Sequence, residues 1–253
     1  MPMTRTIPRL LDSAVQDSGD RLWLLHEDES HTFGGAAARI AGAAHVLHEH
    51  GVGQGVVVMA TTRNTSGYLF TWLAAVGLGA VLVPVDPGLG VTELAGLVAQ
   101  TRPHVVVTDG ALWATVIAAT AAHPPAAGLL HVGDLHDEAA SWPAPAADVR
   151  PEDVAVLLPT SGTTGRSKLV TQTHRAYVMA GEGFPHWMRL SADDRLMTSL
   201  PLFHINAPAY SVLGSVAARA GLVLLPRFSA SGFLDAARRH GATEFNAIGA
   251  MLE

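Results

Sequence analysis

Between Pro159 and Lys168 the sequence reads Pro-Thr-Ser-Gly-Thr-Thr-Gly-Arg-Ser-Lys. Gly162 and Gly165 let backbone N–H groups converge on an anion. Thr160, Ser161, Thr163 and Thr164 add hydroxyl donors, and Lys168 adds a compact positive charge. That set of groups suits phosphate. The Walker loop is excluded by spacing, because it needs Gly, four residues and then Gly-Lys-Ser/Thr, whereas Lys168 follows Ser167 and precedes Leu169. An apolar run, Val154 to Leu158, leads into the loop. Leu169 to Thr173 reads as a second extended segment, and helical periodicity begins only near His174. A strand-loop-strand cradle is therefore expected.

The loop and its trailing Leu-Val-Thr-Gln-Thr-His are similar to the phosphate-binding signature of the adenylate-forming superfamily, which includes acyl-CoA synthetases, luciferases and the adenylation domains of peptide synthetases. An ordinary Ser/Gly/Thr surface turn shares the composition but not the matches on either side. Upstream, the chain from His31 to Pro87 resembles the family's N-terminal region. It has a helix ending at His-Gly-Val-Gly-Gln-Gly, a strand Val-Val-Val-Met-Ala-Thr, Asn64 opening a helix, and then Leu-Gly-Ala-Val-Leu-Val-Pro-Val-Asp-Pro. Downstream, Pro201 to Ala207 (Pro-Leu-Phe-His-Ile-Asn-Ala) resembles the second signature, with His204 where CoA ligases commonly carry a His.

The resemblance implies that ATP and a carboxylic acid react to an acyl-adenylate and that the acyl group passes to CoA, with Mg²⁺ at the phosphates. It implies that Thr160, Ser161, Gly162, Thr163, Thr164 and Gly165 cradle the β- and γ-phosphates while Lys168 screens the departing pyrophosphate. Thr160 matches a residue associated with Mg²⁺, and His204 a residue that flanks the acyl carboxylate. Phe245, Asn246, Ala247, Ile248 and Gly249 match the acyl-pocket lining. For His204 the competing reading is a core histidine after an apolar strand; for residues 245–249 it is ordinary strand packing. The sequence departs from the family at Ser167, where Pro is usual and would fix φ, and at Leu169, where Gly is usual and would permit positive φ. Ser167 is expected to leave the loop more mobile and Leu169 to restrict its backbone, both at the expense of efficient adenylation, while the key donors remain.

The elements that must position these groups alternate between helical and extended patterns. Arg21 to Phe33 reads as a hairpin, and apolar strands bounded by helices follow to the end of the chain, which implies an α/β fold with largely parallel sheets covered on both faces. Tyr68 to Val85 is uncharged and close to the length of a membrane span. It also contains Gly77, Gly79 and Pro84, so a buried helix followed by a buried strand is expected instead. Thr243 to Gly249 reads as a buried strand. The Ala/Pro-rich stretch from Ala121 to Asp153 reads as a surface connection, which divides the chain at about residue 150 into a first α/β subdomain and a second that starts with the phosphate loop.

The 253 residues carry a net charge of -6 and no run of more than two basic residues, so nothing marks a nucleic-acid surface. With no cysteine, thiolate catalysis, disulfides and zinc-thiolate sites are excluded. His26 and His31 lie in a predicted turn and not on one helical face, which excludes the zinc-protease arrangement. The N-terminus lacks a signal-peptide pattern, and a cytoplasmic enzyme is expected.

The family's adenosine-binding signatures, Mg²⁺-binding Glu and mobile-domain Lys do not appear. The resemblance therefore reads as the N-terminal portion of an acyl-CoA synthetase or acyl-AMP ligase, of the carnitine- or medium-chain-like sort. The edge left after Thr243 to Gly249 is expected to make such a fragment prone to association, and a homodimer is a further expectation. Two alternatives stay open: a ligase specialised for thioesterification of a supplied acyl-adenylate, and a non-catalytic module that binds nucleotide or acyl ligand. A phosphotransferase needs an Asp or Lys constellation that these residues do not assemble.

Overall fold

The computed structural model describes residues 5–136, 148–160 and 167–251. Along the chain come α1 (Ile7–Ser18), the strands β1 (Leu22–His26) and β2 (Glu29–Thr32), and α2 (Phe33–Glu49). Next are β3 (Val57–Thr61), α3 (Ser66–Gly77), β4 (Val81–Pro84), α4 (Val91–Thr101), β5 (Val105–Thr108), α5 (Trp113–Thr120) and β6 (Leu129–His131). Then follow β7 (Val154–Thr160), β8 (Lys168–Thr173), α6 (His174–Met188), β9 (Arg195–Thr198), a π-helical turn (Ala207–Val212) and α7 (Leu213–Ala218). The last elements are β10 (Gly221–Leu224), α8 (Phe233–His240) and β11 (Glu244–Phe245).

Two compact units interleave along the chain: one holds residues 1–37, 64–66 and 175–253, the other 38–63 and 67–174. A cut near residue 150 does not describe them, because β7 pairs with β4 and continues the sheet begun by β3. The fold is α/β, with mixed, largely parallel sheets flanked by helices.

The second unit carries the sheet β6-β5-β3-β4-β7-β8. All its pairs are parallel except β7 with β8. Parallel strands covered by helices are apolar throughout their length, and Val105, Val106, Val107, Val58, Met59 and Ala60 are fully buried. Met59, Val83, Val106, Leu94, Leu97, Val98 and Val116 form one core between the sheet and α4 and α5. The uncharged stretch from Tyr68 to Val85 is α3 followed by β4, and no helix among the described residues is long and apolar enough to cross a membrane.

In the first unit the sheet order is β11-β9-β10-β1-β2. The early hairpin β1–β2 joins strands from the last third of the chain, with β1 parallel to β10. Trp23 on β1 is fully buried, stacks on Phe33 and donates from Nε1 to Ser215 Oγ at 2.9 Å, so its polar atom is satisfied inside the unit. The helix α1 was not expected from the sequence. Its buried Ile7, Leu10, Leu11 and Ala14 lie at helical spacing, with Pro8 in the first turn. Burying each Leu contributes about 1.5–3 kcal/mol, so the apolar stripe holds the helix in place.

Candidate active site

In the second unit the strands on either side of the Ser/Gly/Thr sequence form an antiparallel hairpin. β7 and β8 pair from Val154↔Thr173 to Thr160↔Lys168, and the Thr160 hydroxyl closes the mouth by donating to the Lys168 carbonyl at 3.3 Å. At the base, the His174 N–H donates to the Asp153 carbonyl at 3.1 Å, and α6 begins there. Thr160 and Lys168 are both exposed at the open end. The two strands of the expected arrangement are therefore observed as an antiparallel pair, and their register sets Thr160, the expected Mg²⁺-associated residue, opposite Lys168, the expected pyrophosphate-screening one. Ser161, Gly162, Thr163, Thr164 and Gly165 lie outside the described residues.

Leu169 answers one of the two departures. It lies within β8 without positive φ and packs partly buried against the core that contains Met59 and Val106. The conformational freedom of Gly is not used at this position, so the departure does not restrict the backbone.

The first unit carries the other group. Pro201 to Ala207 leave the C-terminal end of β9, where ligands bind in open α/β sheets. His204 is exposed, its N–H donates to the Pro201 carbonyl at 3.2 Å, and its ring lies 4.6 Å from that of Phe203. The core-histidine reading fails on this exposure. Behind the loop the chain enters the π-helical turn, an irregularity frequent at functional sites. α6 approaches the following helix so closely that a Cβ on Gly181 would lie 2.6 Å from Leu213 Cβ.

The segment 245–249 differs from the buried strand expected from sequence. Only Glu244 and Phe245 are strand, they pair with β9 alone, and Phe245 and Ile248 are 44% and 46% exposed. β11 is last in its sheet, and among the described residues no strand pairs with its outer side. Phe245 packs edge-on against Phe233 at 4.9 Å, and Asn246 Nδ2 donates to Ser211 Oγ in the π-helical turn at 3.0 Å. Asn246 thus ties the segment to the turn that follows His204. Ala247 is exposed, and a Cβ on Gly249 would meet nothing within 4 Å among the described residues.

The family model for AMP-binding enzymes matches residues 11–253. The chain belongs to the AMP-binding enzyme family. It is 33% identical over 237 residues to a medium/long-chain-fatty-acid–CoA ligase, FadD6, of Mycobacterium tuberculosis, covering 91% of this chain and 40% of that protein. It is 30% identical over 229 residues to 4-coumarate–CoA ligase 3 of Oryza sativa subsp. japonica, covering 85% of this chain and 41% of that one. The crystal structure of the N-terminal domain of FACL13 from Mycobacterium tuberculosis, bound to an inhibitor, superposes with a TM-score of 0.88 at 24% identity, over 98% of this chain and 64% of that one. The chain thus spans about two fifths of the length of these curated relatives.

Within this AMP-binding chain, two features had no sequence signal. Asn64 reads as a helix opener, yet its side chain bonds to residues some 140 positions away, Leu200 and Leu202. Glu244 reads as one polar residue in an apolar strand, yet it is buried, its Oε2 has no hydrogen-bond partner among the described residues, and burial pushes its carboxyl up to about 7.

That shift has a measurable sign. The unfolded chain loses the Glu244 proton near 4.5 and the folded chain near 7, so the folded state binds more protons between them and stability falls as pH rises through that window. Glu244→Gln removes this decline and is expected to be more stable than the parent at pH 8 by on the order of 2 kcal/mol. His174 contributes the opposite slope, since burial lowers it from 6.5 to about 4. The slope is common to both proteins, so the difference between their denaturant midpoints across pH 5–8 isolates Glu244. Parallel midpoint curves would show that the carboxyl ionises without penalty.

Proposed function

We propose that the chain is the N-terminal part of the large adenylation domain of an AMP-forming acyl-CoA ligase, a cytoplasmic enzyme that takes a carboxylic acid, ATP and CoA. In the first half-reaction a carboxylate oxygen attacks the α-phosphorus in line, the bond to the bridging oxygen breaks, and pyrophosphate leaves. In the second, the CoA thiolate attacks the acyl carbon and AMP leaves. Phosphoryl transfer of this kind depends on positioning and on stabilising spread negative charge. The observation that carries the reading is the β7–β8 hairpin, which sets Thr160 and Lys168 opposite each other on either side of the Ser/Gly/Thr sequence.

Lys168 puts its ammonium where the departing pyrophosphate gathers charge. Mg²⁺ fits the same place: the Thr160 hydroxyl uses its proton on the Lys168 carbonyl and keeps lone pairs for a hard cation, which retains several waters beside one or two protein oxygens. When bound, the ion neutralises phosphate charge. His204 borders the acyl carboxylate and residues 245–249 line the acyl pocket. A homodimer belongs to the same reading.

A pyrophosphate-release screen of the full-length protein over a panel of carboxylic acids, with and without CoA, tests the reading. Acid-dependent pyrophosphate release together with CoA-dependent thioester is expected. Thioester from synthetic acyl-adenylate and CoA, without adenylation, would shift the assignment to a thioesterification specialist. Neither product across the panel would leave a binding module.

A further inference from the structure

We infer that Asn64 is a positioning residue for the His204 loop, acting as a peptide group inserted beside the end of β9. Its Nδ2 donates to the Leu200 carbonyl at 2.9 Å and its Oδ1 accepts from the Leu202 N–H at 2.9 Å. Bonding the carbonyl of one residue and the N–H of the next but one is what a residue of a parallel strand does to its neighbour. Pro201, the residue skipped, has no N–H to offer. Nδ2 also reaches the Leu225 carbonyl, just past β10, at 3.4 Å, so one amide holds the ends of two adjacent strands.

The two bonds to the start of the loop are desolvated: Asn64 is 7% exposed, Leu200 4% and Leu202 1%. In such surroundings an unpaired carbonyl or N–H is costly, so the bonds fix where the loop starts. From that point the Pro201 carbonyl accepts the His204 N–H, and the imidazole inherits its place. Only a side chain with both a donor and an acceptor serves: aspartate would set an anionic oxygen against two carbonyls, and leucine would strand all three groups.

The inference rests on the proposed function for what His204 does, and two readouts in the full-length protein keep the two apart. Amide exchange tests the clip without catalysis. In Asn64→Ala, exchange at Leu202 and through residue 206 should accelerate by about tenfold or more while amides in β10 keep their parent rates. Unchanged protection at Leu202, or equal acceleration in β10, would overturn the clip. Asn64→Ser, which keeps a hydroxyl donor for the Leu200 carbonyl, should fall between the two and serves where alanine prevents folding.

Kinetics test the positioning. Asn64→Ala should lower acid-dependent kcat/KM by about tenfold with the KM for ATP unchanged, and in a His204→Ala background the same change should cost no more than about twofold. Additive losses, or a raised KM for ATP, would show that Asn64 does not act through His204. If the parent forms no acyl-adenylate with any acid, the proposed function fails, and the exchange measurement still decides whether Asn64 holds the loop.

Discussion

Lys168→Ala in the full-length enzyme is expected to slow acyl-adenylate formation by about 10- to 150-fold, because a hydrogen bond to a charged group contributes roughly 1.5–3 kcal/mol. The fold should survive the change, since the side chain is exposed at the end of β8 and its backbone pairing with Thr160 does not depend on it. Thioester formation from a supplied acyl-adenylate should be nearly unaffected, because pyrophosphate takes no part in that half-reaction. Lys168→Arg keeps the charge but trades a compact ammonium for a planar fork, so partial activity is expected. Rapid-quench measurement of acyl-adenylate, with thermal denaturation as the check on folding, distinguishes these outcomes. Unchanged ATP-dependent turnover in Lys168→Ala would remove the lysine from the phosphate site.

The β7–β8 hairpin was legible because each part of its signal is local. An apolar run and a second extended run flank a short stretch of small and hydroxyl residues in the chain, and β7 and β8 follow in the same order. The span from Tyr68 to Val85 was legible for a similar reason: glycines and a proline mark the end of α3 and the passage into β4. What failed depended on distant partners. β11 has strand-like composition, but its burial is set by its place at the edge of the sheet, and that place is decided by β9. The cut at residue 150 followed composition, whereas the units follow pairing, and β7 pairs across the Ala/Pro-rich stretch with β4. Asn64 has the residue type of a helix start, and nothing near it announces Leu200, Leu202 or Leu225. Leu169 was read against a family habit, while its strand geometry and core contact explain it without that habit.

His204 and Gly249 are expected to separate along the substrate, with carboxylate effects at one and acyl-size effects at the other. Gly249→Leu adds a branched side chain where a Cβ meets nothing within 4 Å among the described residues, so it displaces none of them. On the proposed reading its penalty comes from the acyl chain. It should fall on bulky acids more than on small ones, by about 1–3 kcal/mol where the added atoms overpack the acyl chain. His204→Ala should lower kcat/KM across all acids, because on the proposed reading it borders the carboxylate common to every substrate, and misplacing that group removes the advantage of orientation. His204 is exposed and closes no core, so this loss should come without a lower unfolding midpoint. The measurement is kcat/KM for an acid series of increasing length in each variant. A crossed result, with His204 tuning size and Gly249 acting on all acids alike, would mean that the carboxylate lies at the 245–249 segment and the acyl tail at the His204 loop. If neither variant changes any rate in a folded protein, both residues are structural and the acyl group is held elsewhere.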